Sequence, residues 1–102
     1  MRNHPRAQLG RTCHEVINLL TDKVVPKANE GDFEEGVFYR KMIADYYRYI
    51  AEFTKGAHHD EAARNATDAY EKASEIAKNL RTTNTVRLGL ALNFAVFLYE
   101  IV

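Results

Sequence analysis

Tryptophan is absent from this 102-residue chain, cysteine occurs once and proline twice. A lone cysteine, Cys13, closes no internal disulfide, so a disulfide-stapled fold is excluded. With two prolines and five glycines, little interrupts the backbone, which suits an all-helical protein. Neither charge is in excess: 14 basic residues stand against 14 acidic ones. That balance argues against a nucleic-acid surface and against a polybasic membrane face. No secretory leader is expected, because Met1 is followed by Arg2, Asn3, His4 and Pro5 instead of an apolar core. The longest apolar stretch, Leu88 to Val102, is too short to span a bilayer and carries Asn93 and Glu100. What remains is one all-α domain in a cytoplasmic, reducing setting, with Cys13 as a small buried hydrophobe.

The apolar periodicity predicts an antiparallel array of about four helices, over roughly 4–25, 33–55, 60–81 and 85–102. Leu9, Cys13, Val16, Leu20 and Val24 recur at three- and four-residue steps on the first, and Pro26 marks its end. Asn29, Gly31 and Asp32 form a polar connection. Asp32 followed by Glu35 is a capping-box signature for the second helix, whose apolar stripe is Phe38, Met42, Tyr46, Ile50 and Phe53, with Gly56 as its stop. Asp60 and Glu61 open the third helix at its positive end, and Ala62, Ala66, Tyr70, Ala73, Ala77 and Leu80 form its buried face. Thr82, Thr83, Asn84 and Thr85 break the pattern and offer caps for the fourth. That last helix is apolar almost all round, so it wants neighbours on several sides. It reaches Val102 with no cap, which predicts that the chain is an internal piece of a longer protein.

Lys41, Asp45, Arg48 and Tyr49 are spaced i, i+4, i+7, i+8, so a helix puts all four on one face. Spacing alone allows two readings. The pairs Lys41–Asp45 and Arg48–Glu52 suit a solvated charged face. Equally, an arginine, a lysine and a tyrosyl hydroxyl presented together can grip an anion such as a phosphate. On the last helix Asn93 is either a buried amide bonded to a neighbour or a group that holds a ligand's backbone. Left unsatisfied in so apolar a helix, it would cost about 1–3 kcal/mol.

Other chemistry is poorly represented. His58, His59, Asp60 and Glu61 are the one cluster that resembles metal ligands, but adjacent histidines do not easily converge on one ion. A solvated loop capping the third helix is the expected role, with no metal and no cofactor. His14 beside Cys13 is not a dyad, since adjacent helical residues diverge. No nucleophile–base arrangement or glycine-rich phosphate loop stands out, so no catalytic residues are expected and an enzyme is not.

The strings Tyr46-Tyr47-Arg48-Tyr49 and Arg87-Leu88-Gly89-Leu90-Ala91-Leu92-Asn93-Phe94 resemble the central helices of 14-3-3 proteins, the dimeric adaptors for phosphoserine and phosphothreonine peptides. The likeness covers nearly the whole chain, in order. Leu9 to Pro26 resembles the family's fourth helix, Val37 to Gly56 the fifth, Glu61 to Leu80 the sixth and Arg87 to Ile101 the seventh. The resemblance implies that Arg48 and Tyr49 contact phosphate and that Lys41 lines the same groove. It further implies that Asn93 bonds the peptide backbone, that Leu92 and Val96 flank it, and that Glu100 is a groove carboxylate. Asp45 is expected to orient its cationic neighbours. Phosphorylated client proteins are the implied partners, and homo- or heterodimers the implied state of whole family members. The family's pocket also uses a lysine and an arginine from a third helix outside this chain, so an incomplete or inactive adaptor is one expectation. The other is a helical-repeat scaffold without phosphate binding: Ala69-Tyr70-Glu71-Lys72-Ala73 resembles tetratricopeptide second helices, though no self-similarity recurs at that period.

Overall fold

A computed structural model describes residues 5–28 and 32–101. The expectations that fall on His4, Asn29, Gly31 and Val102 lie outside the described residues. The elements are α1 (Pro5–Leu19), a π-helical segment (Leu20–Val24), α2 (Val25–Ala28), α3 (Phe33–Glu52), α4 (Gly56–Ala77) and α5 (Thr85–Ile101). Every element among the described residues is helical, so the fold is all-α.

Local chemistry sets most of the boundaries. Asp32 caps α3, its carboxylate accepting from the Glu35 N–H at 2.8 Å. Asn84 caps α5, accepting from Val86 N–H at 2.9 Å and Arg87 N–H at 3.1 Å. Arg87 then reaches back from Nη1 to the Leu80 carbonyl at 2.6 Å, tying the start of α5 to the turn after α4.

Three boundaries depart from the sequence pattern. The helical backbone runs through Pro26 to Ala28. The π turn resets the hydrogen-bond register just upstream, which leaves Pro26 in the first turn of α2, where a missing N–H is tolerated. At the other junction α3 ends at Glu52, and the Thr54 hydroxyl donates to the Ile50 carbonyl at 2.7 Å. Gly56 is therefore not the stop of α3; it is the first residue of α4, at φ +64°. Thus α4 opens one turn before Asp60 and Glu61, and His58 and His59 are helical instead of lying on a loop.

α3 is the central element. An alanine seam lets α4 lie close against it: Ala44 and Ala51 on one side, Ala62, Ala66, Ala73 and Ala77 on the other, all buried. Val37, Tyr70, Leu90 and Phe97 complete the larger core, while Cys13 and Ile17 close a second one against Ile50, Ala51 and Ala62. The seam decides which face of α3 is innermost. Phe38, expected in the core, is 45% exposed, while Tyr46 and Phe53 pack at the margin of the second cluster. On α1 the expected stripe is rotated slightly: Ile17 is buried, Val16 is half-buried and Leu9 is exposed.

α5 buries only Leu90 and Phe97, and it packs on α3 and α4. Leu88, Leu92, Leu98 and Tyr99 are exposed, Tyr99 to 89%. Successive long helices alternate in direction, so α3 and α5 run parallel. Lys41 lies beside Gly89, Asp45 bonds Asn93, and Glu52 adjoins Glu100. The offset is 48 residues each time, which places the polar stripe of α3 directly against that of α5.

Candidate functional site: a carboxylate-centred polar groove

Asp45 is the one polar residue buried in the core among the described residues, at 8% exposure. A carboxylate there needs partners, and it has them from three helices. From its own helix, Lys41 Nζ donates to Oδ2 at 2.9 Å. From α5, Asn93 Nδ2 lies 3.2 Å from both carboxylate oxygens. From α4, the Tyr70 hydroxyl donates to Oδ1. Arg48 stands slightly farther off, with Nη2 4.0 Å from Oδ1.

Lys41 and Arg48 are two cations facing one carboxylate. Both are sheltered, with side-chain exposures of 20% and 12%. Arg48 Nε is buried and has no hydrogen-bond partner among the described residues. Its guanidinium sits 5.1 Å from the Tyr49 ring centroid, and Tyr49 in turn meets Tyr46 edge-on at 5.8 Å. Burial alone would lower the Arg48 pKa. Interactions with Tyr70, Asp45 and Tyr49 outweigh it, so the net shift is upward and the group stays charged. The stripe is thus partly buried and internally bonded, unlike a solvated charged face.

Tyr70 is wholly buried, its ring stacked on Phe94 at 5.1 Å and tilted against Phe97 at 5.5 Å. Burial, then the bond to Asp45, push its pKa far above the ordinary tyrosine value, so the hydroxyl remains a donor. At the far end of the stripe Glu52 faces Glu100. Burial and then the neighbouring Glu100 carboxylate raise the Glu52 pKa, against an opposing pull from Arg48. The groove therefore runs from a positive stretch at Lys41 and Arg48 to an acidic end.

The other named residues are distributed along this face. Tyr49 is 39% exposed and Leu92 64% exposed, Val96 is half-buried, and Glu100 is exposed. A hollow of about 220 Å³ opens beside Lys41, lined by Phe38, Thr85, Val86 and Gly89. Two clefts of about 260 and 270 Å³ lie away from the hub; Arg40, Asp68 and Lys72 line one, His14, Tyr47 and His58 the other.

Three observations bear on the remaining candidates. His59 Nδ1 lies 2.7 Å from the Ala51 carbonyl, so that ring ties α4 to the end of α3. No three His, Cys, Asp or Glu side chains among the described residues are grouped to hold a metal ion. Burial raises the Cys13 pKa, which keeps the thiol protonated and unreactive. Sequence reasoning missed Tyr70, which it assigned to the core, and the partnership of Glu52 with Glu100. Neither partnership has a local signal in the sequence. Lys41, Asp45 and Glu52 share the spacing i, i+4, i+11 with Gly89, Asn93 and Glu100, as two parallel helices in register require.

A family profile described as 14-3-3 protein matches residues 1–102. The chain is 48% identical over 101 residues to 14-3-3 protein I of Plasmodium falciparum, covering 98% of this chain and 38% of that relative. It is 46% identical over 101 residues to a 14-3-3 protein homolog of Neospora caninum, covering 98% and 37%. Similarity extends to the checkpoint signal transducer rad25 of Schizosaccharomyces pombe, at 50% identity over 95 residues, covering 92% and 34%. The chain thus spans little more than a third of the length of these relatives. No helix among the described residues is long and apolar enough to cross a membrane.

Proposed function

Because the chain belongs to the 14-3-3 family, we propose that it supplies one wall of a groove that binds phosphoserine or phosphothreonine segments of client proteins. The observation that carries this reading is the charge arrangement at Asp45. One buried carboxylate meets two sheltered cations, and Nε of Arg48 is left unpartnered among the described residues. A phosphoryl group brings nearly two negative charges and three acceptor oxygens, which answers both features. Arg48 pairs with it through its fork, Tyr49 donates its hydroxyl, and Lys41 adds a point charge. Asn93, already held through Nδ2 by Asp45, offers its carbonyl oxygen to a backbone N–H. Leu92 and Val96 give the ligand apolar contact, and Glu100 reaches its side chains.

In this reading the protein is a binding and regulatory partner, not a catalyst. It acts by sequestering or reshaping its client, in the cytoplasm, and its relatives' naming as 14-3-3 proteins and as a signal transducer accords with that role. Dimerisation belongs to the same proposal. The tetratricopeptide-like string gains no support, since Tyr70 within it is committed to Asp45.

The test uses a graft in which these 102 residues replace the matching segment of the Plasmodium falciparum relative. Arg48→Ala should weaken a phosphopeptide by about 1.5–3 kcal/mol, roughly tenfold to a hundredfold. Arg48→Lys should recover only part of it. Asn93→Ala should weaken unrelated phosphopeptides by similar factors, because the backbone it holds is common to all. Unchanged affinity after both Arg48 substitutions would return Arg48 to the status of a charged surface residue.

A further inference from the structure

The hub has one member whose helix contributes nothing else to the groove. Tyr70 projects from α4, and α4 lies behind α3 and α5. Its two contacts point at the two groove walls separately. The hydroxyl donates to Asp45 on α3, and the ring stacks on Phe94 and leans on Phe97 of α5. Phe94 immediately follows Asn93, so the same side chain braces the backbone that carries the groove amide. Asp45 in turn orients Lys41 and Asn93 and sits 4.0 Å from Arg48. A tyrosine that served only to fill the core would need no hydroxyl here, because phenylalanine fills the same space. Placing that hydroxyl at a position with no solvent exposure costs desolvation, which only the bond to Asp45 offsets.

We propose that Tyr70 is a positioning residue for the phosphate-binding groove: its hydroxyl fixes the Asp45 carboxylate, and through it the placement of Lys41 and Asn93, while its ring sets the spacing between α3 and α5. This inference rests on the phosphate-site reading above. Tyr70 touches no ligand. Without its hydroxyl, Oδ1 of Asp45 loses its one donor from α4, and the carboxylate is free to turn toward Arg48, whose Nη2 now stands 4.0 Å away. Arg48 would then be engaged internally and less available to an incoming phosphate.

Tyr70→Phe separates the two roles, since it keeps the ring and removes the hydroxyl. In the graft it should reduce phosphopeptide affinity about three- to tenfold, read by fluorescence polarisation. A purely structural role would also weaken binding, so a double-mutant cycle decides between them. In an Asp45→Ala background the hydroxyl has no carboxylate to fix, and Tyr70→Phe should then change affinity less than about twofold. Equal effects of Tyr70→Phe in both backgrounds would overturn the proposal. Should circular dichroism show Asp45→Ala unfolded, Lys41→Ala, a change at a partly exposed side chain, takes its place. The cycle with Lys41→Ala should likewise be non-additive, and additivity there overturns the proposal equally. The wild-type graft keeps the two levels apart. If it shows no preference for the phosphorylated peptide over its unmodified twin, the phosphate-site reading itself fails. If it shows the preference and Tyr70→Phe leaves affinity intact, only the positioning role fails.

Discussion

Replacing Asp45 with alanine removes the centre of the polar network, and the structure allows its cost to be worked out group by group. The Tyr70 hydroxyl, at 0% exposure, loses the carboxylate to which it donates and is left as a buried donor. An unsatisfied buried donor costs about 1–3 kcal/mol. Lys41, with a side chain 20% exposed, can swing outward and recover solvent. Asn93 is half-buried and does so less completely. Arg48, 12% exposed with Nε already unpartnered, loses its nearest counter-charge. Breaking a buried pair by deleting one member typically destabilises by about 3–5 kcal/mol, and the solvent access of Lys41 puts this case near the lower end, about 3 kcal/mol. Urea unfolding of the graft, followed by circular dichroism, measures it. Adding Tyr70→Phe to Asp45→Ala removes the orphaned hydroxyl and should restore about 1–2 kcal/mol. A loss below about 1 kcal/mol for Asp45→Ala, with no recovery in the double variant, would refute the view that this carboxylate holds three helices together.

Gly56 is at φ +64° with open space within 4 Å of where a Cβ would stand, so Gly56→Ala meets strain without a clash and should destabilise by about 1–2 kcal/mol in thermal unfolding. Glu52 carries a pKa raised by burial and then by Glu100. A raised carboxyl pKa contributes stability below the unfolded value and loses it as pH climbs through the folded one; Glu52→Gln should therefore raise the melting temperature at about pH 7 and lose that advantage near pH 4. The isolated 102-residue chain exposes Leu88, Leu92, Leu98 and Tyr99 on α5, and should self-associate in sedimentation or bind a hydrophobic dye. A monodisperse, dye-silent monomer would count against that assessment of α5.

The helices were largely legible because each carries its own signal. Asp32 with Glu35 announces the start of α3, and the alanines with Tyr70 mark the inner face of α4. What stayed hidden required partners distant in the chain. Phe38 continues the apolar period of α3, yet the alanine seam against α4 turns Val37, Ala44 and Ala51 inward instead. Gly56 has the composition of a helix stop, and only the backbone shows it opening α4. Pro26 reads as a terminator until the π turn before it relieves the missing donor. Within the groove, Lys41 to Asp45 is a local i, i+4 pair that spacing alone suggests. The bonds from Tyr70 and Asn93 to Asp45 span 25 and 48 residues, and no local rule predicts them.

In the proposed function, the cations Lys41 and Arg48 beside Asp45 serve a phosphoryl group. Fluorescence polarisation of a phosphoserine peptide and its unmodified twin, each titrated with the graft and with the 102-residue chain, tests it most directly. The graft should clearly prefer the phosphorylated twin, and the short chain, which spans 38% of the length of the Plasmodium falciparum relative, should bind weakly or not at all. Equal binding of both twins by the graft would contradict the phosphate site. Tight, phosphate-dependent binding by the short chain alone would show instead that Lys41, Arg48, Tyr49 and Asn93 suffice.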